Sequence, residues 1–264
     1  MPTVDARHAR LYYEASGRPD GEPLLLSNSL GSSMEMWNRV LPVLEKEFRV
    51  VRYDTRGHGR SSVPAAPYTI EQLGCDALAV LDAVGISRAS FCGLSLGGLT
   101  GQWLAVHAPE RIRRLILANT AARIGTEAMW DARMESVRES GMKPIAAATP
   151  ERWFTGAYRE RFPEQMEQIR RMVAGTEAEG YIGCCAVLRD ADLRASTCAI
   201  AHMCLVVAGR DDPATPPADV RALYTALPSA RYVELGSSHL SAWECGAEFA
   251  EAVLAFLQEG SGHG

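Results

Sequence analysis

The chain has 264 residues, 47% hydrophobic and 22% charged, with a formal net charge of −5. That length buries a substantial core in one large domain or two small ones. The acidic balance leaves no basic face for nucleic acid or an anionic membrane surface. Seven cysteines (75, 92, 184, 185, 198, 204 and 245) form no C-x-x-C pair and no ligand spacing with histidine. They are expected to be buried thiols in a reducing compartment, neither a disulfide framework nor a metal site. No stretch approaches the ~18 apolar residues of a membrane span, and the N-terminus has no apolar signal core. A soluble, cytoplasmic protein is expected.

In chain order, "RLYYEA" (10–15) alternates as a strand, and "EPLLLSN" (22–28) is a short apolar run of the kind buried on both faces. "MEMWNRVLPVLEKEF" (34–48) carries Met36, Trp37, Val40, Leu41 and Leu44 at helical spacing, and "RVVRYD" (49–54) is again a strand. A helix over 69–86 starts at Thr69 as N-cap and ends at Gly85. The strand "ASFCGL" (89–94) leads into a helix from Ser95 to His107, which Pro109 stops, and "IRRLILANT" (112–120) is the next strand. "MCLVVAG" (203–209), "ARYVELG" (230–236) and a helix over 242–257 close the series, before a polar tail. Strands separated by helices mean crossover connections and a mostly parallel sheet. The rhythm breaks between Ala121 and Ala201, where helical pieces are punctuated by Gly141, Pro150, Gly156, Pro163, Gly175 and Gly180. This predicts an α/β core made of residues 1–120 and 202–264, with an inserted helical cap over 121–201.

Within this frame "FCGLSLGGLT" (91–100) places Ser95 between Gly93 and Gly97 at a strand-to-helix junction. G-x-S-x-G in that position is a nucleophile elbow: a tight turn exposes the hydroxyl above the sheet, and glycines two residues away relieve the crowding. A serine of ordinary acidity needs a base, and the base needs an orienting acid, in the chain order Ser, acid, His. "GRDDPATPP" (209–217) and "VELGSSHLSAWE" (233–244) supply them after two strand ends. His239 is the expected base. His8, His107, His202 and His263 sit in elements or the tail, and His58 in "DTRGHGRSS" precedes the serine and reads as part of a structural turn. Asp212, followed directly by Pro213, is the expected acid, with Asp211 the alternative. The amide of Leu96, at a helix N-terminus, supplies one oxyanion donor. The second comes from the loop after 22–28, where "LLSNSLGSS" places Leu30 next to Gly31.

The segments "GLSLGG", "YDTRGHGRS", "GRDDPATPP" and "SSHLSAWE" together resemble the α/β-hydrolases over essentially the whole chain. The resemblance implies an eight-stranded, mostly parallel sheet flanked by helices. Within that superfamily, "SNSLGSSMEMW" (27–37) and "ANTAARIGTEAMWDARMESVRESGM" (118–142) look like the 3-oxoadipate enol-lactonases of aromatic catabolism. Asn28-Ser29 stand where many relatives have His-Gly, a departure that this subfamily shares. The implied reaction is hydrolysis of a small lactone bearing one carboxylate, with no metal or organic cofactor. The implied partner is that small molecule alone, for a monomer or small homo-oligomer.

A carboxylate substrate needs a cation, yet residues 121–201 hold 10 arginines and one lysine against 12 acidic residues. One placed arginine must therefore recognise it. Arg133, three residues after Trp130 and on the same helical face, is the leading choice, and Arg123 the second. Trp130 would wall the apolar side of the ring, while Trp37, Trp103, Trp153 and Trp243 are expected to pack. Two rival readings remain open: another serine hydrolase of the fold (a carboxylesterase, a perhydrolase or a carbon–carbon bond hydrolase), and a non-catalytic ligand sensor.

Overall fold

A computed structural model describes residues 2–259; His263 and the end of the polar tail lie outside the described residues. Eight strands form one sheet: β1 (Thr3–Ala6), β2 (Ala9–Gly17), β3 (Glu22–Ser27), β4 (Phe48–Tyr53), β5 (Ala89–Leu94), β6 (Ile112–Ala118), β7 (Cys204–Gly209) and β8 (Ala230–Leu235). Their order is β1-β2-β4-β3-β5-β6-β7-β8. The β1–β2 and β2–β4 pairs are antiparallel, and all pairs from β4 to β8 are parallel. β5 and β7 are apolar runs buried along their whole length, as strands covered on both faces must be. Alternation divides the core: Leu24 and Leu26 of β3 belong to one apolar cluster, and Leu25 to the other.

The helices are α1 (Leu41–Leu44), α2 (Ile70–Ala83), α3 (Leu96–His107), α4 (Glu127–Ser140), α5 (Lys143–Trp153), α6 (Gly156–Arg161), α7 (Pro163–Ala174), α8 (Ala178–Asp190), α9 (Pro217–Ala226), α10 (Ser241–Glu244) and α11 (Gly246–Gln258). α2 opens on a capping box: Thr69 accepts from the Gln72 amide while the Gln72 side chain accepts from the Thr69 amide. Helices α4 to α8 lie between β6 and β7. Trp130, Met134 and Tyr181 from this segment share one apolar cluster with Leu94, which ends β5, and Leu96, which begins α3.

The sequence pattern misplaces several boundaries. The helix expected over 34–48 is a single 3-10 turn, Met34–Trp37, followed by α1, because Pro42 starts a new helix and cannot continue one. The last helix breaks at Cys245, whose backbone (φ −117°, ψ 47°) is not helical. β1 and α9 escape the pattern entirely, and His8 sits in the β1–β2 turn at φ 64° rather than in a strand. All seven cysteines are free; Cys92, Cys184, Cys185 and Cys204 are buried, but Cys75 and Cys198 are exposed.

Candidate active site

Ser95 joins β5 to α3 with φ 58° and ψ −112°, a conformation that side-chain-bearing residues rarely adopt. The turn is held by the Ser95 amide, which donates to the Ala118 carbonyl (2.9 Å), and by the Ser95 carbonyl, which accepts from Thr120 Oγ1 (2.8 Å). A Cβ on Gly93 would lie 2.1 Å from the Gly97 carbonyl oxygen, and one on Gly97 would lie 2.2 Å from that of Ser27. Only glycine fits at both places, so the motif's glycines follow from the closeness of strand and helix.

His239 follows β8 and is buried. Its Nδ1 bonds Asp212 Oδ2 at 2.8 Å, which fixes the proton on Nδ1 and leaves Nε2 as the free base nitrogen. Asp212 follows β7 and is the better satisfied of the two aspartates. Oδ1 accepts from the Ala214 (2.8 Å) and Thr215 (3.1 Å) amides, and Oδ2 also accepts from Thr215 Oγ1 (2.7 Å) and Asn119 Nδ2 (3.0 Å). Burial would raise this carboxyl, but the His239 charge and these donors outweigh it and hold Asp212 below the ordinary carboxylate range. Asp211 is exposed and has no part in this network. Among the described residues no hydrogen bond joins Ser95 Oγ to His239, although both line one cavity of about 320 Å³. Such contacts tighten when substrate enters.

Leu30 lines the same cavity. Among the described residues neither the Leu30 nor the Leu96 amide donates to a protein acceptor. The loop carrying Leu30 is fixed on both sides. Asn28 donates Nδ2 to the Tyr53 carbonyl (2.7 Å), accepts from Trp37 Nε1 (2.8 Å), and its carbonyl takes the Gly97 amide (3.0 Å). On the other side the Gly31 amide donates to His58 Nε2 (2.9 Å), while His58 Nδ1 lies 3.2 Å from the Arg56 carbonyl. Burial pushes His58 down to about 4, so it stays neutral, with Nδ1 donating and Nε2 accepting. Asn28, Ser32 and His58 thus shape the loop rather than touch the cavity.

The far wall comes from α4, α5 and α8. Trp130 and Arg133 both line the cavity, as does Trp153, which had been expected only to pack. Trp130 is buried, with Nε1 donating to the Ile124 carbonyl (2.7 Å). Arg133 donates to Tyr181 OH at 3.3 Å and has no ion-pair partner among the described residues. Arg123 is not brought here. It lies in the connection between β6 and α4, pairs with Asp192 at 3.3 Å, and faces a separate depression lined by Arg194 and α9.

The pattern for the alpha/beta hydrolase fold matches residues 22–244. The chain belongs to this family. Among its relatives, 3-oxoadipate enol-lactonase 2 of Acinetobacter baylyi is 43% identical over 97% of this chain and 96% of its own. The 3-oxoadipate enol-lactonase 1 of the same organism is 35% identical over 94% and 93%. The crystal structure of the enol-lactonase from Burkholderia xenovorans LB400 superposes with a TM-score of 0.96 at 44% identity, covering 98% of this chain and all of that one.

Three residues of this α/β-hydrolase site escape sequence reasoning. Asn119, at φ 44° just past β6, donates to both Asp212 Oδ2 and the Ser238 carbonyl (3.2 Å). A polar residue ending the apolar run 115–118 was the available signal. Tyr181 and Arg152 line the cavity from α8 and α5 and carry no local signal at all.

Proposed function

We propose that the protein is a 3-oxoadipate enol-lactonase, with Ser95 as nucleophile, His239 as general base and Asp212 as the group that orients it. Ser95 Oγ attacks the lactone carbonyl while His239 Nε2 takes its proton; Asp212 stabilises the imidazolium that forms. The amides of Leu30 and Leu96 hold the oxyanion, each worth on the order of 3 kcal/mol in the transition state. The ring C–O bond then breaks. Its oxygen leaves as an enolate, is protonated by His239 and tautomerises to the ketone. Water deprotonated by His239 next attacks the acyl-enzyme, freeing the diacid and restoring Ser95. This route calls on no metal or organic cofactor. Residues 121–201 act as a cap over the core formed by 1–120 and 202–264, with Trp130 against the ring and Arg133 at the substrate carboxylate.

The observation that carries this reading is a single cavity lined by Ser95, by His239 and by Arg133, an arginine with no acidic partner among the described residues. The same reading places the protein in the cytoplasm as a monomer or small homo-oligomer acting on a small molecule. No described helix is long and apolar enough to cross a membrane. The test is loss of the enol-lactone's ultraviolet absorbance on mixing with purified protein. The wild type should consume it, and Ser95→Ala should lose about 10⁴-fold or more in kcat while still binding product. Fast aryl-ester hydrolysis with no enol-lactone turnover would overturn the assignment in favour of a carboxylesterase.

A further inference from the structure

Arg152 stands in the last turn of α5, and its side chain lines the cavity that holds Ser95 and His239. Among the described residues its guanidinium has neither a hydrogen bond nor an ion pair with protein. The contrast with its neighbours is sharp. In the same segment Arg123 and Arg194 pair with Asp192, and Arg189 pairs with Asp131 and Asp190. Asp131, Asp190 and Asp192 are thus engaged by arginines outside the cavity, while Arg133 and Arg152 line it. Of these two, only Arg133 has a protein partner, the neutral hydroxyl of Tyr181.

Guanidinium does not lose its proton in proteins, so both groups remain cations with spare, fork-shaped donors. Burial first, and the Arg133 charge second, pull the Arg152 guanidinium down from its ordinary value: the charged form is under strain there. An anion bridging the two would relieve that repulsion and take charge-assisted hydrogen bonds from both.

The backbone at Arg152 is also tied to the catalytic histidine's loop. The Arg152 carbonyl accepts from Ser238 Oγ at 3.2 Å, and the Trp153 carbonyl accepts from the Leu240 amide at 3.1 Å. Both chain neighbours of His239 are thus stitched to residues 152–153. Arg133 comes from a different helix and has no such link. The root of the Arg152 side chain is therefore held at a set place relative to the reacting centre, as a ruler for substrate length must be.

We propose that Arg152 is a second carboxylate-binding residue, forming with Arg133 a two-arginine clamp that selects small acyl substrates carrying a free carboxylate opposite the scissile carbonyl. This rests on the lactonase reading above for the identity of the substrate, though not for the anion site itself. The clamp also explains how the cavity recognises an anion when residues 121–201 as a whole are slightly acidic.

The test uses Arg152→Gln and Arg152→Lys beside the wild type, with two readouts. In turnover, Arg152→Gln should raise KM for the enol-lactone about 30-fold, the size expected for losing a hydrogen bond to a charged group. The preference for the lactone over a neutral ester of similar size should fall at least tenfold; Arg152→Lys should recover part of both. In calorimetric titration, the wild type should bind adipate more tightly than hexanoate and should not bind 1,6-hexanediol detectably. Arg152→Gln should lose about tenfold in adipate affinity. Residual neutral-ester turnover shows that each variant is folded. If the lactone is hydrolysed but Arg152→Gln leaves both its preference and its adipate affinity within twofold of wild type, the clamp is wrong and the lactonase assignment survives. If the wild type turns over no lactone, yet binds adipate in an Arg152-dependent way, the clamp stands and the substrate assignment falls.

Discussion

The loops after β5, β7 and β8 and the helices α4 and α5 meet across one cavity with their polar groups in opposite conditions. On the sheet side the Asp212 carboxylate accepts from His239, Asn119, Thr215 and two backbone amides. Among the described residues His239 Nε2, the Ser95 hydroxyl and the Leu30 and Leu96 amides are left without a protein hydrogen bond. On the helical side Arg133 and Arg152 are left with almost no protein partners. The difference fits the roles proposed for the two sides. Groups that must be aimed before charge develops are best satisfied in advance, since preorganised dipoles need no rearrangement during reaction. Groups that recognise a charge must be left unsatisfied, since donors already engaged would have to be released first.

The sharpest way to break this comparison is to spoil the sheet side without touching its shape. Asp212→Asn keeps the volume, but its amide can donate to His239 Nδ1 and so favour the wrong tautomer, with the proton on Nε2. About 10⁴-fold in kcat should be lost, with KM for the lactone little changed. Steady-state kinetics with the lactone checks this. A loss under tenfold would mean that the buried acid is structural and that the base is oriented by something else.

This sheet side was legible in the sequence because each of its parts is local. A strand, a turn and a helix within "FCGLSLGGLT" place Ser95, and Asp212 and His239 each stand a few residues past a strand end. Leu24 to Leu26 announce a doubly covered strand for the same reason. Helical spacing correctly put Trp130 and Arg133 on one face. Arg123, the second choice, precedes α4, so that helix's periodicity says nothing of it, and it lines the outer depression instead. Arg152 could not be found this way. What marks it is the lack of a partner, visible only once Asp190 and Asp192 are seen to pair with Arg189 and Arg194 on the outside. Pro42 announces its own break in the 34–48 helix, whereas the break at Cys245 coincides with Glu244 accepting from Ser238 and Thr155, contacts that no sequence pattern encodes.

A second and smaller effect concerns His58, which holds the Leu30 loop from below. Its folded value of about 4 lies beneath the ordinary 6.5 of a solvated imidazole. The unfolded chain therefore binds a proton that the folded one refuses. The stabilisation is complete above pH 6.5, falls as pH drops through the window from 6.5 to about 4, and changes no further below it. Across that window the loss should amount to about 3 kcal/mol. His58→Gln, which keeps an acceptor and a donor at the same site, should lower Tm at pH 7 only modestly and flatten this part of the pH dependence. Thermal unfolding at pH 7 and pH 4.5 measures it. An unchanged slope in the variant would show that the proton is taken up elsewhere.

The smallest expected effect is the control on the helical side. Arg123 is about one-third exposed and shares Asp192 with Arg194, whose Nε lies 2.8 Å from Oδ1. Exposed pairs of this kind contribute about 0.5 kcal/mol at most, and Arg194 would keep the aspartate occupied. Arg123→Ala should therefore leave Tm within about 1 °C and KM for the lactone within about twofold. The value of so small a change lies in what it separates. If general positive charge on α4 and its approach drew the substrate in, losing Arg123 would cost as much as losing any other arginine of the segment. If recognition depends on donors that face the cavity without partners, Arg123 is silent however basic it is. A tenfold rise in KM would place anion recognition in the outer depression beside α9, and the contrast between the two sides of the inner cavity would no longer explain specificity.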